Sequence, residues 1–411
     1  MLYEPDRHEA LAPSAWDAQR ARDTIARIAA DAEDRFSPDR YWPAHPRDLE
    51  PGDDPDQLAT SLDSGAGGVM WALAYLRSAG AVTLRRDPWV GLDTLLARNH
   101  ARLAAGASHD VASYLKGDTP ILLMAYGRDP STVVVADRLA ALIDANIDHP
   151  SRELMWGAPG TMLAALFLHE RSGEARWADL FRKTAARLWS QLEWSAEHAC
   201  HYWTQDLYGQ RSTYLGAVHG FVAAASPLVR GRHLLAQGEW DAWRHRIAET
   251  VTRTATWDGD QVNWRPLLDA PFERKKLMQF CHGAPGFVIC LGDWPGTELD
   301  ELLLAAGRAT WAAGPLAKGS NLCHGTGGNG YAFLKLYLRT RDPLWLERAR
   351  AFAMHGIAQT EADAARHSRM RYSLWTGDPG FAIYLLDCLN AQARFPTLDV
   401  FFGDQRAPER R

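Results

Sequence analysis

Cysteine is scarce in this chain. Its 411 residues hold five: Cys200, Cys281, Cys290, Cys323 and Cys388. So sparse and odd a set does not build a disulfide framework, and the thiols are read as reduced or as metal ligands. A basic excess is also missing. Lys and Arg number 45 against 50 Asp and Glu, a net charge of −5. A nucleic-acid binder usually shows a basic surplus or run, so that partner class is set aside. Long apolar runs are lacking too. A stretch such as 160–168 falls far short of the ~20 residues that span a bilayer. The first eight residues, Met1 to His8, lack the basic-then-apolar order of a secretion signal. The expectation is a cytoplasmic protein with no membrane or nucleic-acid partner. Strand signals are few, because no stretch alternates Val, Ile or Thr with polar residues for long.

What is present is helix. Segments 132–147, 175–194, 238–254, 298–313 and 343–360 place apolar residues at intervals of three and four, with charges between. Between them a short pattern recurs: a Gly, two residues, usually Gly or Pro, then a very apolar helix. Its leading glycines are Gly65, Gly117, Gly157, Gly220, Gly283, Gly325 and Gly377, separated by 52, 40, 63, 63, 42 and 52 residues. Seven copies at such a period define a helix-pair repeat. In each unit an amphipathic outer helix leads through a Gly turn to an inner helix that is apolar nearly all round and therefore buried. An open solenoid needs polar caps at its ends, and the last copy here is as apolar as the middle ones. The predicted fold is therefore all-α, a closed (α/α)7 toroid, with the seven turns converging at one mouth. Residues 61–411 form the single barrel domain, and 1–60 a helical extension. A helix over 16–32 lays Ile25, Ile28 and Ala29 against the barrel.

Two turns differ from the rest. Cys281-His282-Gly283 and Cys323-His324-Gly325 each place Cys-His before the turn glycine, and Val218-His219-Gly220 places His alone. Cys and His are zinc-type ligands, and neighbouring repeats bring Cys281 and Cys323 together across the mouth. The alternative is two buried cysteines beside capping histidines. Cys290 and Cys388 fall within inner helices and read as small buried residues. Cys200, in a His-rich patch, reads as part of a loop between repeats.

The segments from Cys281 to Gly286 and from Leu322 to Leu334 resemble the two signature stretches of the lanthionine synthetase C-like family. Ser373 to Gly380 resembles its last repeat, and the likeness runs over residues 62–389. The resemblance implies one zinc ion held by Cys281, Cys323 and His324, with a fourth position open to a substrate thiol. A zinc-bound thiol is a thiolate, the nucleophilic form. Its target in the family is dehydroalanine or dehydrobutyrine, and the product is a thioether. The resemblance makes His219 the general acid that protonates the resulting enolate. Glu153, where some relatives have Asp, is a candidate to orient His219, and His282 is read as a pocket-wall residue. The first motif looks more like the branch that adds glutathione than the branch that closes rings with a peptide cysteine. Lys318 matches a basic residue thought to touch glutathione. Arg369 and Arg371 stand one or two positions out of register with that branch's arginine. The repeats leave no room for a dehydratase, so the dehydrated peptide or protein must come from a separate dehydratase or lyase. Two other functions compete. A carbohydrate epimerase or glycosidase of the same barrel type would need paired carboxylates, and the turns offer Glu153, Asp63, Asp118 and Asp378. A non-catalytic scaffold would bind zinc and glutathione without turnover.

Overall fold

The computed structural model describes residues 1–49, 51, 52, 54, 58–104 and 108–403. Fourteen α-helices run through these residues. They are α1 (Ala18–Arg35), α2 (Ala66–Ser78), α3 (Leu92–Ala104), α4 (Thr119–Arg128), α5 (Val133–Ala145), α6 (Ala158–Ser172) and α7 (Ala175–Ser190). They continue as α8 (Phe221–Arg230), α9 (Gln237–Arg253), α10 (Ala284–Leu291), α11 (Asp300–Ala313), α12 (Thr326–Thr340), α13 (Pro343–His367) and α14 (Asp378–Asn390). The even-numbered helices start at the seven glycine turns. Each touches the next, and α14 touches α2, so the inner ring is closed. Composition explains the two layers. Every residue of α10 is buried, whereas α7 buries only the stripe Trp177, Ala178, Phe181, Thr184, Ala185 and Leu188.

The turns themselves form a second closed ring, made of backbone hydrogen bonds. The Leu62 amide donates to the Leu115 carbonyl (2.9 Å), Leu115 to Met155 (3.1 Å), and Leu154 to Val218 (3.2 Å). Ala217 then donates to Cys281 (3.2 Å), Cys281 to Cys323 (3.1 Å), Cys323 to Trp375 (2.8 Å), and Trp375 to Asp63 (2.8 Å). The ring holds the residues before each glycine at one rim. Close packing within the turn explains the second glycine where it occurs. A Cβ on Gly380 would lie 1.8 Å from the Leu374 carbonyl oxygen, and one on Gly328 would lie 1.9 Å from that of Leu322.

α1 buries Ala21, Ile25, Ile28, Ala29 and Ala32 and packs chiefly on α14. It takes the place beside α14 that an outer helix takes in the other pairs. The centre of the inner ring is filled by residues 393–402. There Phe395 stacks on Phe280, with ring centroids 4.4 Å apart, and Phe401 meets Trp71, Tyr114 and Phe167.

Some local expectations need correction. Three antiparallel hairpins interrupt the helical pattern: β1–β2 (Glu193–Ser195, Cys200–Tyr202), β3–β4 (Gln205–Leu207, Gln210–Ser212) and β5–β6 (Ala255–Asp258, Gln261–Trp264). α7 therefore stops at Ser190, because Trp194 pairs with His201 in the first hairpin. Cys200 lies in strand β2, not in a loop. α13 runs past Thr360 to His367. Its last turns have no apolar stripe but consist largely of good helix formers. Among the described residues no helix is long and apolar enough to cross a membrane.

Candidate metal centre and active site

The fifth and sixth turns place their cysteines side by side. The Cys281 amide bonds the Cys323 carbonyl, and the two thiols share a hydrogen bond. Gln279 adds its side-chain N–H to the Cys281 sulfur at 2.9 Å. These contacts divide the pair. The bond from Cys323 holds the Cys281 thiol below its ordinary pKa against the effect of burial, while that same bond and burial push Cys323 up. Gly283 has φ +106°, unlike the other turn glycines that precede inner helices, so the backbone after Cys281 departs from the common turn. His324 follows Cys323 directly, its amide capped by Asn321 Oδ1 at 3.0 Å. Burial, then Lys318, Arg371, Arg47 and Arg7, push its imidazole pKa down to about 3. It is therefore neutral near pH 7, the form that binds metals.

Two thiols on bonded neighbouring turns and one neutral imidazole make a donor set suited to zinc. The ligand atoms of Cys281, Cys323 and His324 do not all lie within 4.8 Å of one another. Among the described residues, the trio whose possible ligand atoms all lie within 4.8 Å of one another is His45, Asp363 and His367. Sequence reading missed that cluster, in which His45 meets Asp363 and His367, four residues apart on α13, across more than 300 residues of chain. His45 Nδ1 faces the Arg47 amide at 3.2 Å, and Arg47 Nη1 lies 3.1 Å from Asp363. These contacts already supply the carboxylate with a cation.

His219, on the fourth turn, is the next group along the rim. Its Nδ1 lies 2.9 Å from Glu153 Oε2. Glu153 is fully buried and also accepts the amides of Met155 (2.8 Å) and Trp156 (2.6 Å). A carboxylate fixed this way holds the proton on Nδ1 and leaves Nε2 directed elsewhere. His219 lies close enough to Cys281 and His282 to act on the charge of both. Burial, then His219, push His282 down to about 3. Its ring lies 5.6 Å from Tyr214, and among the described residues its buried Nδ1 has no hydrogen-bond partner.

The cations sit beyond the sixth and seventh turns. Lys318 is exposed. Arg371 is nearly buried and is held by Asp48, with Nε 2.8 Å from Oδ1. Its guanidinium is thus already paired, a contact the sequence did not show. Arg369 is turned away and donates to the Ala44 carbonyl at 3.1 Å. Arg7 reaches Gln279 Oε1 at 3.0 Å, bringing the N-terminal segment to the thiol pair.

The remaining carboxylates of the turns are occupied. Asp63 pairs with Lys116 at 2.7 Å, and Asp118 accepts from Asn99, His100 and Arg138. Asp378 is buried, pushed up to about 6, and accepts the Arg371 amide. A glycosidase-like pair is therefore not offered by these groups. Burial raises the thiols of Cys200 to about 11 and Cys290 to about 12, and raises Cys388 further. These three are inert packing residues.

A closed seven-fold toroid with two Cys-His turns at its mouth defines a class. Residues 129–400 match the family described as lanthionine synthetase C-like protein. The chain belongs to that family. It is 36% identical over 193 residues to a zebrafish (Danio rerio) protein named glutathione S-transferase LANCL1, covering 46% of each chain. It is 27% identical over 266 residues to LanC-like protein GCL1 of Arabidopsis thaliana, covering 61% of this chain and 58% of that one. The matched parts thus span about half the length of these relatives. Among solved structures, nisin cyclase superposes with a TM-score of 0.64 at 14% identity, over 94% of this chain and 99% of that one, a likeness of fold.

Proposed function

We propose that this protein is a zinc enzyme that adds a thiol across the double bond of a dehydroalanine or dehydrobutyrine residue in a peptide or protein. The observation that carries the reading is the shared rim. A hydrogen-bonded thiol pair lies beside a histidine whose far nitrogen is fixed by a buried glutamate.

Cys281, Cys323 and His324 would hold the ion. When bound, zinc supplies the charge that keeps an incoming thiol deprotonated near neutral pH. The protein's own residues do the rest. The new C–S bond forms at the β-carbon, and the π pair moves onto the α-carbon and its carbonyl. His219 Nε2 gives the α-carbon a proton, and Glu153 stabilises the charged imidazole before and the tautomer after. The proton lost by the thiol restores His219, so the net change is addition of S–H across the alkene. His282 and Tyr214 wall the site on the His219 side. Lys318, and Arg371 once it releases Asp48, suit the carboxylates of a donor such as glutathione, which the name of the zebrafish relative also suggests. A peptide's own cysteine is the other donor, as the name nisin cyclase suggests. The dehydro residue arises on a separate dehydratase or lyase, and the reaction suits the reducing cytoplasm.

The test is direct. Zinc-loaded protein is incubated with a dehydroalanine peptide and either glutathione or an internal cysteine, and thioether is read by mass spectrometry. Zinc bound with no adduct from either donor would leave a scaffold and end the enzymatic reading.

A further inference from the structure

Charged and aromatic groups are unevenly spread around the mouth. Four cations, Lys318, Arg371, Arg47 and Arg7, bear on His324 beside the sixth turn, while Lys116 acts on Cys323 and Lys275 on His282. The aromatic groups Trp156, Tyr208 and Tyr214 gather around His219 at the third and fourth turns. Cys281 and Cys323 lie between.

Tyr208 is the unusual member. It forms the tip of hairpin β3–β4 with Gly209, at φ +54° and +74°. A two-residue connection with both φ values positive favours Asn, Asp or Gly at its first position, not a bulky aromatic. Here the local rule is broken by a side chain that stays 73% exposed. Such a conflict between local preference and residue type points to a use outside folding.

The hairpin is also fixed in place. Arg152 Nη1 donates to the Thr204 carbonyl at 2.7 Å, and the Asp206 amide to Pro150 at 3.1 Å. Gln205 Oε1 accepts the Tyr214 amide at 2.7 Å. Trp156 Nε1 donates to the Tyr208 hydroxyl at 3.2 Å, and the Trp156 amide in turn binds Glu153. The Tyr208 ring stands edge-on to His219, centroids 6.3 Å apart. An exposed aromatic is therefore held at a set position next to the proton donor.

We propose that Tyr208 and Trp156 form a subsite for the polypeptide that carries the alkene, gripping an apolar or aromatic side chain next to the dehydro residue. This rests on the reading of the site as a thiol-adding one. It assigns the cations beside His324 to the thiol donor and the aromatic groups beside His219 to the acceptor chain. A rigid aromatic beside a reacting group is an effective anchor because little freedom is lost on contact.

The experiment uses full-length zinc-loaded protein and two fluorescein-labelled dehydroalanine peptides, one flanked by Leu and Phe, one by Gly and Ser. Binding is read by anisotropy and thioether formation by mass spectrometry. Wild type should bind the apolar-flanked peptide about tenfold more tightly, the scale of one well-packed aromatic. Tyr208→Ala and Tyr208→Asn should erase that preference, and Tyr208→Phe should keep it. Tyr208→Asn suits the turn and should raise the melting temperature while the preference is lost. A structural tyrosine would show the opposite change in stability. No preference in wild type, or an undiminished preference in Tyr208→Asn, would overturn the subsite. Preferential binding lost in Tyr208→Asn without any thioether in wild type would sink the proposed reaction and leave the subsite standing.

Discussion

The two ends of the inner ring both bury charged groups, and they treat them differently. At the floor, Lys335 is almost wholly buried and lies 2.9 Å from Asp399 and 3.2 Å from Asp293. Burial opposes its charge, but the two carboxylates outweigh that and hold its pKa above the ordinary value. The pairing pins residues 393–402, the plug of the barrel. At the mouth, His219 is bound by Glu153 through Nδ1, and among the described residues Nε2 has no protein partner. Charges paired on every side fasten a structure. A charge paired on one side only is oriented for chemistry. The floor should therefore be sensitive in stability and the mouth in turnover.

The sharpest break of that comparison is Cys323→Ala. It should remove bound zinc and lower thiol addition by at least about 100-fold, with the helical circular dichroism intact. Loss of helix together with zinc would make the ion structural and assign the mouth to the same class as the floor. Next is His219→Ala, expected to keep one zinc per chain by elemental analysis and to lose about 100-fold in kcat. Glu153→Gln should cost less, roughly tenfold in kcat with KM unchanged, because the imidazole loses the carboxylate that fixes its orientation. An unchanged kcat would reduce Glu153 to a turn residue.

Lys335→Ala probes the other end. It leaves Asp399 buried without its cation, at a cost of about 3–5 kcal/mol. The midpoint of denaturant unfolding should fall accordingly, while kcat below the transition is unchanged. A kcat loss matching that of His219→Ala, without loss of stability, would erase the distinction between the ends.

The seven-fold frame was legible because each turn needs a leading glycine where earlier backbone approaches too closely for a Cβ, as at Gly117 and Gly377. That constraint leaves a mark at every repeat. The thiol pair was legible for a related reason: bonded neighbouring turns stand in register, so two Cys-His steps in sequence become one cluster in space. Glu153 and His219 were visible as candidates, but their bond depends on the ring closing the distance between turns. What the sequence hid are contacts between segments with no common period. Asp48 on Arg371 and Arg7 on Gln279 join the N-terminal region to turns hundreds of residues away, and His45 meets Asp363 and His367 on α13. The hairpins were hidden because their strands are only three or four residues long, too short to show alternation.

The smallest expected effect separates the ends by the sign of their pH dependence. His282 at the mouth has a pKa of about 3, with burial the main cause. An unfolded histidine titrates near 6.5, so the unfolded chain takes up that proton first, and stability falls as pH drops from about 6.5 toward 3. Asp387 at the floor is pushed up by burial to about 7. An unfolded aspartate titrates near 3.9, so there the folded chain holds the extra proton, and stability rises as pH falls from about 7 toward 4. In the shared window the two oppose each other and hide in the sum. Single substitutions separate them. In metal-free protein, His282→Phe should flatten the acid loss of stability by about one proton, and Asp387→Asn should steepen it by about one. Urea melts at half-unit steps from pH 4.5 to 7.5 read both slopes. Equal slopes in the two variants would mean that neither burial is maintained in solution. Opposite changes would show that the mouth keeps its imidazole neutral at a cost in acid stability, while the floor relieves its buried acid by protonating it.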